Sequence, residues 1–290
     1  MRTFAYHRPE SLEEACGLLA RLGRAARPMA GGTALTILLR EGLLDADQIV
    51  SLERVPLGGV SWRDPVLTVG AMATHQALVD HPVVRTRVPV LAEVLAQVAS
   101  RRIRNVATIG GNLCWAEAAS DPPGLLVALD AQVVARSVRG DRRVAVRDLF
   151  RDYFTTTLAP DEVLTEVDVP APAADAGVAY IKFTPQSFAD KPVLAVTAVV
   201  RRQDGVCAEA RVVVAGAGPI PLALPAATAD LRGQPLEAPG GVVRVAQRYA
   251  EAARPVSDTR GSAAYKRQMI RVLVGRALWQ AWARAGGPDA

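Results

Sequence analysis

The sequence predicts an α+β protein built from two domains, and three observations support this fold class. First, a chain of 290 residues that is 50% hydrophobic can bury a large core, and at this length one domain tends to split into two. Second, strand and helix signals alternate early in the chain, whereas strands precede helices in its last part. Third, an Ala- and Pro-rich segment, PAPAADAG at 170–177, interrupts both patterns. We therefore predict domains at residues 1–173 and 174–290.

The first domain opens with signals in the order strand, helix, strand. We predict a short strand at TFAYHRP and a helix at SLEEACGLLARLG, where Ser11 is the N-cap, Glu14 the third helical residue and Gly23 follows the last turn. A glycine pair and a second amphipathic helix, expected to begin at Thr33, follow within ARPMAGGTALTILLREGLL. Another strand is predicted at DQIVSLERV, and parallel pairing fits this order.

The rest of the chain divides into further strands and helices. The first domain continues with a strand and a short helix in VLTVGAMATHQALVDHP, a longer helix in VPVLAEVLAQVAS, and a segment, NVATIGGNLCWAEAASDPP, that opens like a buried strand. Strand-like apolar runs separated by the hairpin signal RGD follow in GLLVALDAQVVARSVRGDRRVAVRDLF, and then the alternating EVLTEVDVP. The second domain is predicted to contain three strands, VAYIKFT, VLAVTAVVRR and CAEARVVVAGAG, and two helices, GVVRVAQRYAEAARP and SAAYKRQMIRVLVGRALWQAWARA.

Composition argues against several classes of function. The formal charge is +5, but the arginines are scattered and no aromatic residues alternate with them, so nucleic acid is not an expected partner. No run approaches 18 apolar residues, and acids near the amino terminus argue against a transit peptide, so we expect no membrane span and a cytoplasmic location. Three cysteines without a CxxC motif do not suggest a disulfide framework or an iron–sulfur cluster.

Two glycine pairs carry the strongest functional signal. PMAGGTAL at residues 28–35 and TIGGNL at 108–113 each place consecutive glycines beside small hydroxyl or amide side chains. Glycine pairs let successive N–H groups converge on an anion, and Thr33, Thr108 and Asn112 offer further hydrogen bonds. One pair alone is more often a tight turn. Two similar loops on one domain favour a shared dinucleotide ligand.

Other candidate motifs favour structural roles. VVVAGAGPIP at 212–221 resembles a strand leading into a nicotinamide dinucleotide site, but Pro219 and Pro221 remove donors where a phosphate would bind, and Pro221 replaces the third glycine. His7, His75 and His81 have no metal-ligand spacing, so neither a metal site nor a catalytic side chain is assigned.

The motifs PMAGGTAL, TIGGNLCWAEAASDPP, ALDAQVV and DTRGSAAYKRQMIRVLVGRAL together resemble the FAD-binding medium subunit of the xanthine dehydrogenase and carbon monoxide dehydrogenase family of molybdenum hydroxylases. The resemblance extends over nearly the whole chain. It implies a two-lobed PCMH-type FAD-binding domain, followed by a small domain with a three-stranded antiparallel sheet and helices.

The resemblance also implies which residues bind FAD. The first loop would wrap the diphosphate, and the second would hold the diphosphate and ribityl chain from the other side. Asp121 would lie near sugar or ribityl hydroxyls, and Leu164 and Lys182 near the isoalloxazine ring. The full set of implied contacts is Pro28, Met29, Ala30, Gly31, Gly32, Thr33, Ala34, Leu35, Thr108, Ile109, Gly110, Gly111, Asn112, Asp121, Leu164 and Lys182.

The sequence departs from the family pattern in two places. Pro185 and Gln186, in YIKFTPQSFADKP, stand where many members have two arginines, which affects either the flavin edge or a subunit interface. Ala34 replaces a polar residue common in the first loop, which removes a side-chain contact but no backbone donor.

The function implied by the resemblance is electron transfer. A molybdenum-cofactor large subunit would oxidise the substrate, a small subunit with [2Fe-2S] clusters would relay electrons, and FAD on this chain would pass them to NAD, a quinone or another acceptor, in a heterotrimer that can double. Two alternatives remain: a flavin-free scaffold subunit, and a nicotinamide-dependent dehydrogenase that uses VAGAG. Replacing Gly31 and Gly111 with valine is predicted to abolish flavin retention.

Overall fold

The computed structural model describes residues 3–44, 46–187 and 189–285. Its strands form three sheets and one short hairpin, and their bounds follow in chain order. The strands are β1 Ala5–His7, β2 Ala26–Met29, β3 Gln48–Ser51, β4 Val60–Arg63, β5 Val66–Gly70, β6 Gln132–Ser137, β7 Gly140–Ala145, β8 Phe150–Asp152, β9 Thr155–Thr156, β10 Val163–Pro170, β11 Ala176–Phe183, β12 Leu194–Gln203, β13 Val206–Ala215 and β14 Leu222–Ala223.

The helices are mostly short in the first 150 residues and longer near the carboxyl end. They are α1 Leu12–Leu22, α2 Leu35–Arg40, α3 His75–Asp80, α4 Pro82–Arg87, α5 Pro89–Ala96, α6 Arg101–Arg104, α7 Ile109–Trp115, α8 Asp121–Ala128, α9 Val146–Leu149, α10 Pro225–Thr228, α11 Gly241–Ala252 and α12 Ala263–Arg284. None of the helices in the described ranges is both long and apolar enough to cross a membrane.

The first lobe is a parallel three-stranded sheet, β1-β3-β2, with α1 packed against it. Ser11 Oγ accepts the N–H of Glu14, and the Glu14 carboxylate accepts the N–H of Glu10. These two hydrogen bonds fix residues 10–14 at the start of α1. The helix ends at Gly23, whose φ is +58°. The predicted strand, capped helix and parallel pairing are all confirmed.

The second lobe is an antiparallel five-stranded sheet in the order β4-β5-β10-β6-β7. Its β6–β7 hairpin confirms the turn expected at RGD. The apolar run GLLVAL before it, expected to be strand-like, forms α8 instead. Pro122 and Pro123 lie in the first turn of this helix, where their missing N–H groups have no intrahelical partner to lose. Both faces of α8 are buried, which explains why its sequence shows no amphipathic period.

The segment before the second glycine pair was also predicted incorrectly. Residues 105–108 form a turn after α6, and Val106 is 48% exposed instead of buried. Only Thr108 makes a strand-like contact, an isolated bridge to Thr74. The glycine pair then lies inside the first turn of α7, because Thr108 caps this helix by accepting the N–H of Gly111.

The second domain has a four-stranded antiparallel sheet, β11-β12-β13-β14, covered on one face by α11 and α12. The prediction of three strands missed β14, which has only two residues. The other face packs on the first domain, where Val178, Val199 and Val213 join the core of the five-stranded lobe. Helix α8 lies in this contact, and a Cβ added at Gly124 would lie 3.6 Å from the Ala215 Cβ of β13 and 3.9 Å from the Thr197 hydroxyl of β12. Residues 171–175 connect β10 to β11; the division at 173/174 stays a prediction.

Candidate functional site

The first glycine loop joins β2 to α2 and presents unpaired backbone donors. Among the described residues, none provides an acceptor for the N–H groups of residues 31–35, which are half-buried. Gly32 has φ +68°, a conformation that side chains other than glycine rarely adopt. Successive N–H groups without acceptors, held beside a positive-φ glycine, are the arrangement that binds anions in backbone nests.

Helix α2 begins two residues later than the sequence suggested. Thr33 and Ala34 form a turn, and Ala34 is the N-cap without a side-chain hydrogen bond. The Gly32 carbonyl accepts both the N–H and the hydroxyl of Thr36 at 2.9 and 2.7 Å, which fixes this turn. Because α2 has only six residues, its dipole is a minor term, and the loop N–H groups are the main contribution to anion binding.

The two glycine loops are in direct contact. A Cβ added at Gly31 would lie 1.9 Å from the Val106 carbonyl oxygen, so only glycine fits there. A Cβ at Gly111 would lie 3.4 Å from the Ala30 Cβ. The structure therefore brings together the loops that the sequence placed about eighty residues apart.

The second loop does not offer converging backbone donors, contrary to the prediction. Ile109 N–H donates to Ala73 O, and Gly110 N–H to Ala71 O, at 3.0 and 2.9 Å. Thr108 accepts the other two, with Oγ1 bound to Gly111 N–H at 3.1 Å and its carbonyl to Asn112 N–H at 2.9 Å. The glycines serve packing instead: a Cβ at Gly110 would lie 2.6 Å from the Ala71 Cβ.

Asn112 connects the second loop to a buried polar cluster. Its Oδ1 accepts the Ser120 hydroxyl at 2.9 Å, and Asp121 follows as the first residue of α8. The Asp121 carboxylate accepts Tyr180 OH at 2.5 Å and Lys182 Nζ at 3.2 Å. Lys182 also donates to the Gln97 carbonyl at 2.7 Å. The side chains of Asp121 and Lys182 are 6% and 1% exposed, so this ion pair joins the two domains away from water.

Burial dominates the electrostatics of this cluster. It raises the pKa of Asp121 above its ordinary value, while the hydrogen bond from Tyr180 and the charge of Lys182 oppose that rise. Burial and then the Asp121 charge raise the pKa of Tyr180 well above 10, so its hydroxyl stays protonated and donates. Tyr180 was missed from the sequence, although its spacing of two from Lys182 places both on one face of a strand.

The remaining predicted residues lie around these features. Pro28 and Met29 end β2, and the Met29 carbonyl accepts Leu52 N–H at 2.8 Å. Leu164 lies on β10 with 4% exposure, at a shift of register opposite β6, and is part of the core.

The departure at TPQSFADKP lies beside the site, and its Phe188 falls outside the described residues. Lys191, within the same segment, pairs with Glu117 between α7 and α8 at 2.6 Å.

The GAGPIP segment is a structural turn. Gly216, at φ +77°, donates to the Ala118 carbonyl at 2.9 Å, and a Cβ there would lie 2.5 Å from Val193 O. The two-residue strand β14 follows instead of a helix, so no phosphate-binding helix terminus forms. This agrees with the structural interpretation of the motif.

His75 gives the region around the second loop a pH-dependent stability. Its backbone N–H donates to Ala107 O at 2.9 Å, its ring is fully buried, and neither ring nitrogen has a partner among the described residues. Burial, and secondarily the Arg104 charge, lowers the pKa of His75 from 6.5 to about 4. The imidazole binds a proton more tightly in the unfolded chain than in the folded protein. The stability that the neutral His75 ring contributes is therefore complete above pH 6.5 and is lost as pH falls towards 4.

We expect the free energy of unfolding to fall by about 3 kcal/mol from this group between pH 7 and pH 4. Urea unfolding at a series of pH values measures the change, and the His75→Phe variant is the control because it keeps a buried ring without a titrating group. The same pH dependence in both proteins would contradict the assignment to His75.

Comparisons with known proteins agree with this architecture. Residues 2–172 match the family described as the FAD binding domain in molybdopterin dehydrogenase, and residues 179–281 match the CO dehydrogenase flavoprotein C-terminal domain. The carbon monoxide dehydrogenase medium chain of Afipia carboxidovorans is 33% identical over 284 residues, covering 98% of each chain. The alpha subunit of the 6-hydroxypseudooxynicotine dehydrogenase complex of Paenarthrobacter nicotinovorans is 32% identical, covering 98% of this chain and 96% of that protein.

Solved structures give the same result. Carbon monoxide dehydrogenase from Hydrogenophaga pseudoflava, in a form that lacks the Mo-pyranopterin moiety of its cofactor, superposes with a TM-score of 0.94 at 32% identity, covering 98% of both chains. Quinoline 2-oxidoreductase from Pseudomonas putida 86 superposes with a TM-score of 0.92 at 30% identity over 98% of both chains. The protein therefore belongs to the family of FAD-binding medium subunits of molybdenum hydroxylases; it is a subunit of an oxidoreductase, and its cofactor is FAD.

Proposed function

We propose that this chain is the electron-transfer subunit of its complex, taking electrons from a [2Fe-2S] small subunit and passing them to an external acceptor such as NAD or a quinone. A molybdenum-cofactor large subunit would complete a heterotrimer, and substrate choice would belong to that subunit. Its relatives, which include medium chains and subunits of several dehydrogenase complexes, support this division of labour.

The observation that carries the proposal is the set of N–H groups at residues 31–35 that have no acceptor among the described residues. They would hold the FAD diphosphate, since adjacent N–H groups compensate phosphate charge without a basic side chain. Gly31 is required for this because the loop rests directly on the backbone of Val106.

The second loop would contribute a wall and side chains instead of backbone donors. Its N–H groups at residues 109–112 already have acceptors, so Thr108 and Asn112 would act through their polar side chains. Asn112 Oδ1 already accepts the Ser120 hydroxyl, so the side-chain NH₂ of Asn112 is the group that would donate to a ligand oxygen.

Asp121, Leu164 and Lys182 would set the environment of the flavin ring and ribityl chain. The hydrogen bond from Lys182 Nζ to Asp121 Oδ2 holds the lysine cation in a buried position, and the Tyr180 hydroxyl donates to the other carboxylate oxygen, Asp121 Oδ1. When bound, FAD supplies the exchange between one- and two-electron chemistry that a relay between iron–sulfur clusters and NAD or a quinone requires. No side chain of this chain is proposed to act as a general acid, base or nucleophile.

The test uses the complete complex, purified anaerobically with its partner subunits. We expect an equimolar amount of FAD, bleaching of the flavin absorbance when the clusters are reduced by limiting dithionite, and recovery of that absorbance on adding the acceptor. A complex with reducible clusters but flavin that stays oxidised would refute the electron-transfer role. A complex that turns over without flavin would support the scaffold alternative.

A further inference from the structure

A cavity of about 400 Å³ lies between the two domains, apart from the glycine loops. The carboxyl end of α8 and Arg147 of α9 form one side, and β13, β14 and α10 form the other. Ligand pockets of this kind are common at domain interfaces, and 400 Å³ is within their usual range of about 300–1,000 Å³.

The floor of the cavity is apolar, and the hydroxyl of the tyrosine beneath it is already hydrogen-bonded within the protein. Tyr249, fully buried beneath it, donates its hydroxyl to Val212 O at 2.6 Å and accepts Leu224 N–H at 2.9 Å. The apolar lining includes Val127, Ala128, Ala210, Val212, Val213 and Leu224. Such a floor suits an apolar body and offers it no polar partner.

The rim carries an excess of positive charge. Three arginines, at 147, 211 and 232, face two carboxylates, Asp130 and Glu209. Asp130 pairs with Arg211 and, at 3.5 Å, with Arg147, and Glu209 pairs with Arg211 at 3.1 Å. Asp130 is therefore committed to Arg211 and Arg147, and Glu209 to Arg211 and, at 3.9 Å, Arg201.

Arg232 is the cation left to bind a ligand. Its Nε donates to the Ala208 carbonyl at 3.1 Å, and no carboxylate within the described part of the chain pairs with it. That single bond orients the guanidinium at the cavity edge and leaves its terminal nitrogens for a second acceptor. A carboxylate is the group whose two oxygens match this fork.

We propose that this cavity binds a small carboxylate with an apolar ring or branched chain, its body on the α8–β13 floor and its carboxylate on Arg232. The site is separate from the FAD loops, since none of its lining residues belongs to them. Helix α8 has 8 residues and is about 12 Å long. Asp121 lies at its amino end and the cavity at its carboxyl end, so the helix length separates the two.

The test is calorimetric titration of the full-length, FAD-loaded chain with 2-naphthoate, and with naphthalene-2-carboxamide as its uncharged counterpart. We expect saturable binding of the carboxylate and weaker binding of the amide. Arg232→Gln should weaken binding of 2-naphthoate by roughly tenfold, because one charge-assisted hydrogen bond is lost. Ala223→Trp, on the exposed edge strand β14, should abolish binding by filling the cavity mouth. Arg21→Gln, an exposed arginine on α1, removes the same charge elsewhere and should change nothing.

Thermal unfolding of each variant separates loss of binding from loss of folding, because both replaced side chains lie at the surface. Binding that neither cavity variant weakens, or no saturation at millimolar ligand, would overturn the proposal. Binding to the chain that disappears in the assembled complex would also overturn it, since a partner segment would then fill the cavity.

Discussion

Replacing Gly31 with alanine is expected to lower FAD affinity by at least about tenfold, so that the purified chain loses its yellow colour. The added Cβ would lie 1.9 Å from the carbonyl oxygen of Val106 and 2.7 Å from its carbonyl carbon. Both are backbone atoms, so no side-chain rotation relieves the clash, and the first loop must move away from the second. Its N–H groups would then no longer converge on one anion.

The ratio of visible to ultraviolet absorbance measures retained flavin, and mass spectrometry identifies what acid releases. Gly17→Ala is the matched control, because a Cβ at that helical position meets nothing within 4 Å and is expected to be neutral or slightly stabilising. Gly111→Ala is a milder case, since its Cβ would meet the Thr108 hydroxyl at 2.9 Å, and Val106 is not involved. Wild-type flavin content in the Gly31 variant would refute the role of the loop contact.

Replacing Lys182 with methionine is expected to cost roughly 3–5 kcal/mol of unfolding free energy, because it leaves Asp121 buried without its cation. The two side chains are 1% and 6% exposed, so water cannot replace the lost partner. The double variant Lys182→Met, Asp121→Asn should recover part of the loss, since no charge then remains buried and Tyr180 can still donate to the amide oxygen.

Urea unfolding of the flavin-free chains measures these differences. Lys191→Met is the matched control: its pair with Glu117 is shorter, at 2.6 Å against 3.2 Å, but the lysine is 61% exposed, and the expected cost is under about 1 kcal/mol. Equal losses for the two lysine variants would contradict the argument from burial. A double variant that is no more stable than Lys182→Met would contradict it as well.

Elements with local signals were predictable from the sequence, and elements fixed by distant contacts were not. The ends of α1 follow from Ser11, Glu14 and Gly23, all within the helix or next to it. In contrast, the segment before Thr108 has the composition of a strand, and the first turn of the helix that follows it is held by bonds from Ile109 and Gly110 to Ala73 and Ala71, which lie far away in the sequence. No spacing within NVATIGG contains that information.

The same distinction between local signals and distant contacts applies to the residues of the candidate site. The first glycine loop is a local feature, and its sequence identified the region of free N–H groups. The second loop has an almost identical motif, yet its donors are used by Ala71, Ala73 and Thr108. The link between Asp121 and Tyr180 spans the two domains, so neither motif alone could reveal it.

The most direct test of the account is to follow the backbone amide resonances of the ¹⁵N-labelled chain as FAD is added. We expect large shifts at residues 31–35, whose N–H groups gain phosphate acceptors, and smaller ones at residues 109–112, whose N–H groups already have acceptors. Pyrophosphate alone should move the same five amides in the same direction. Shifts confined to residues 109–112, with residues 31–35 unchanged by saturating FAD, would show that the first loop does not hold the diphosphate.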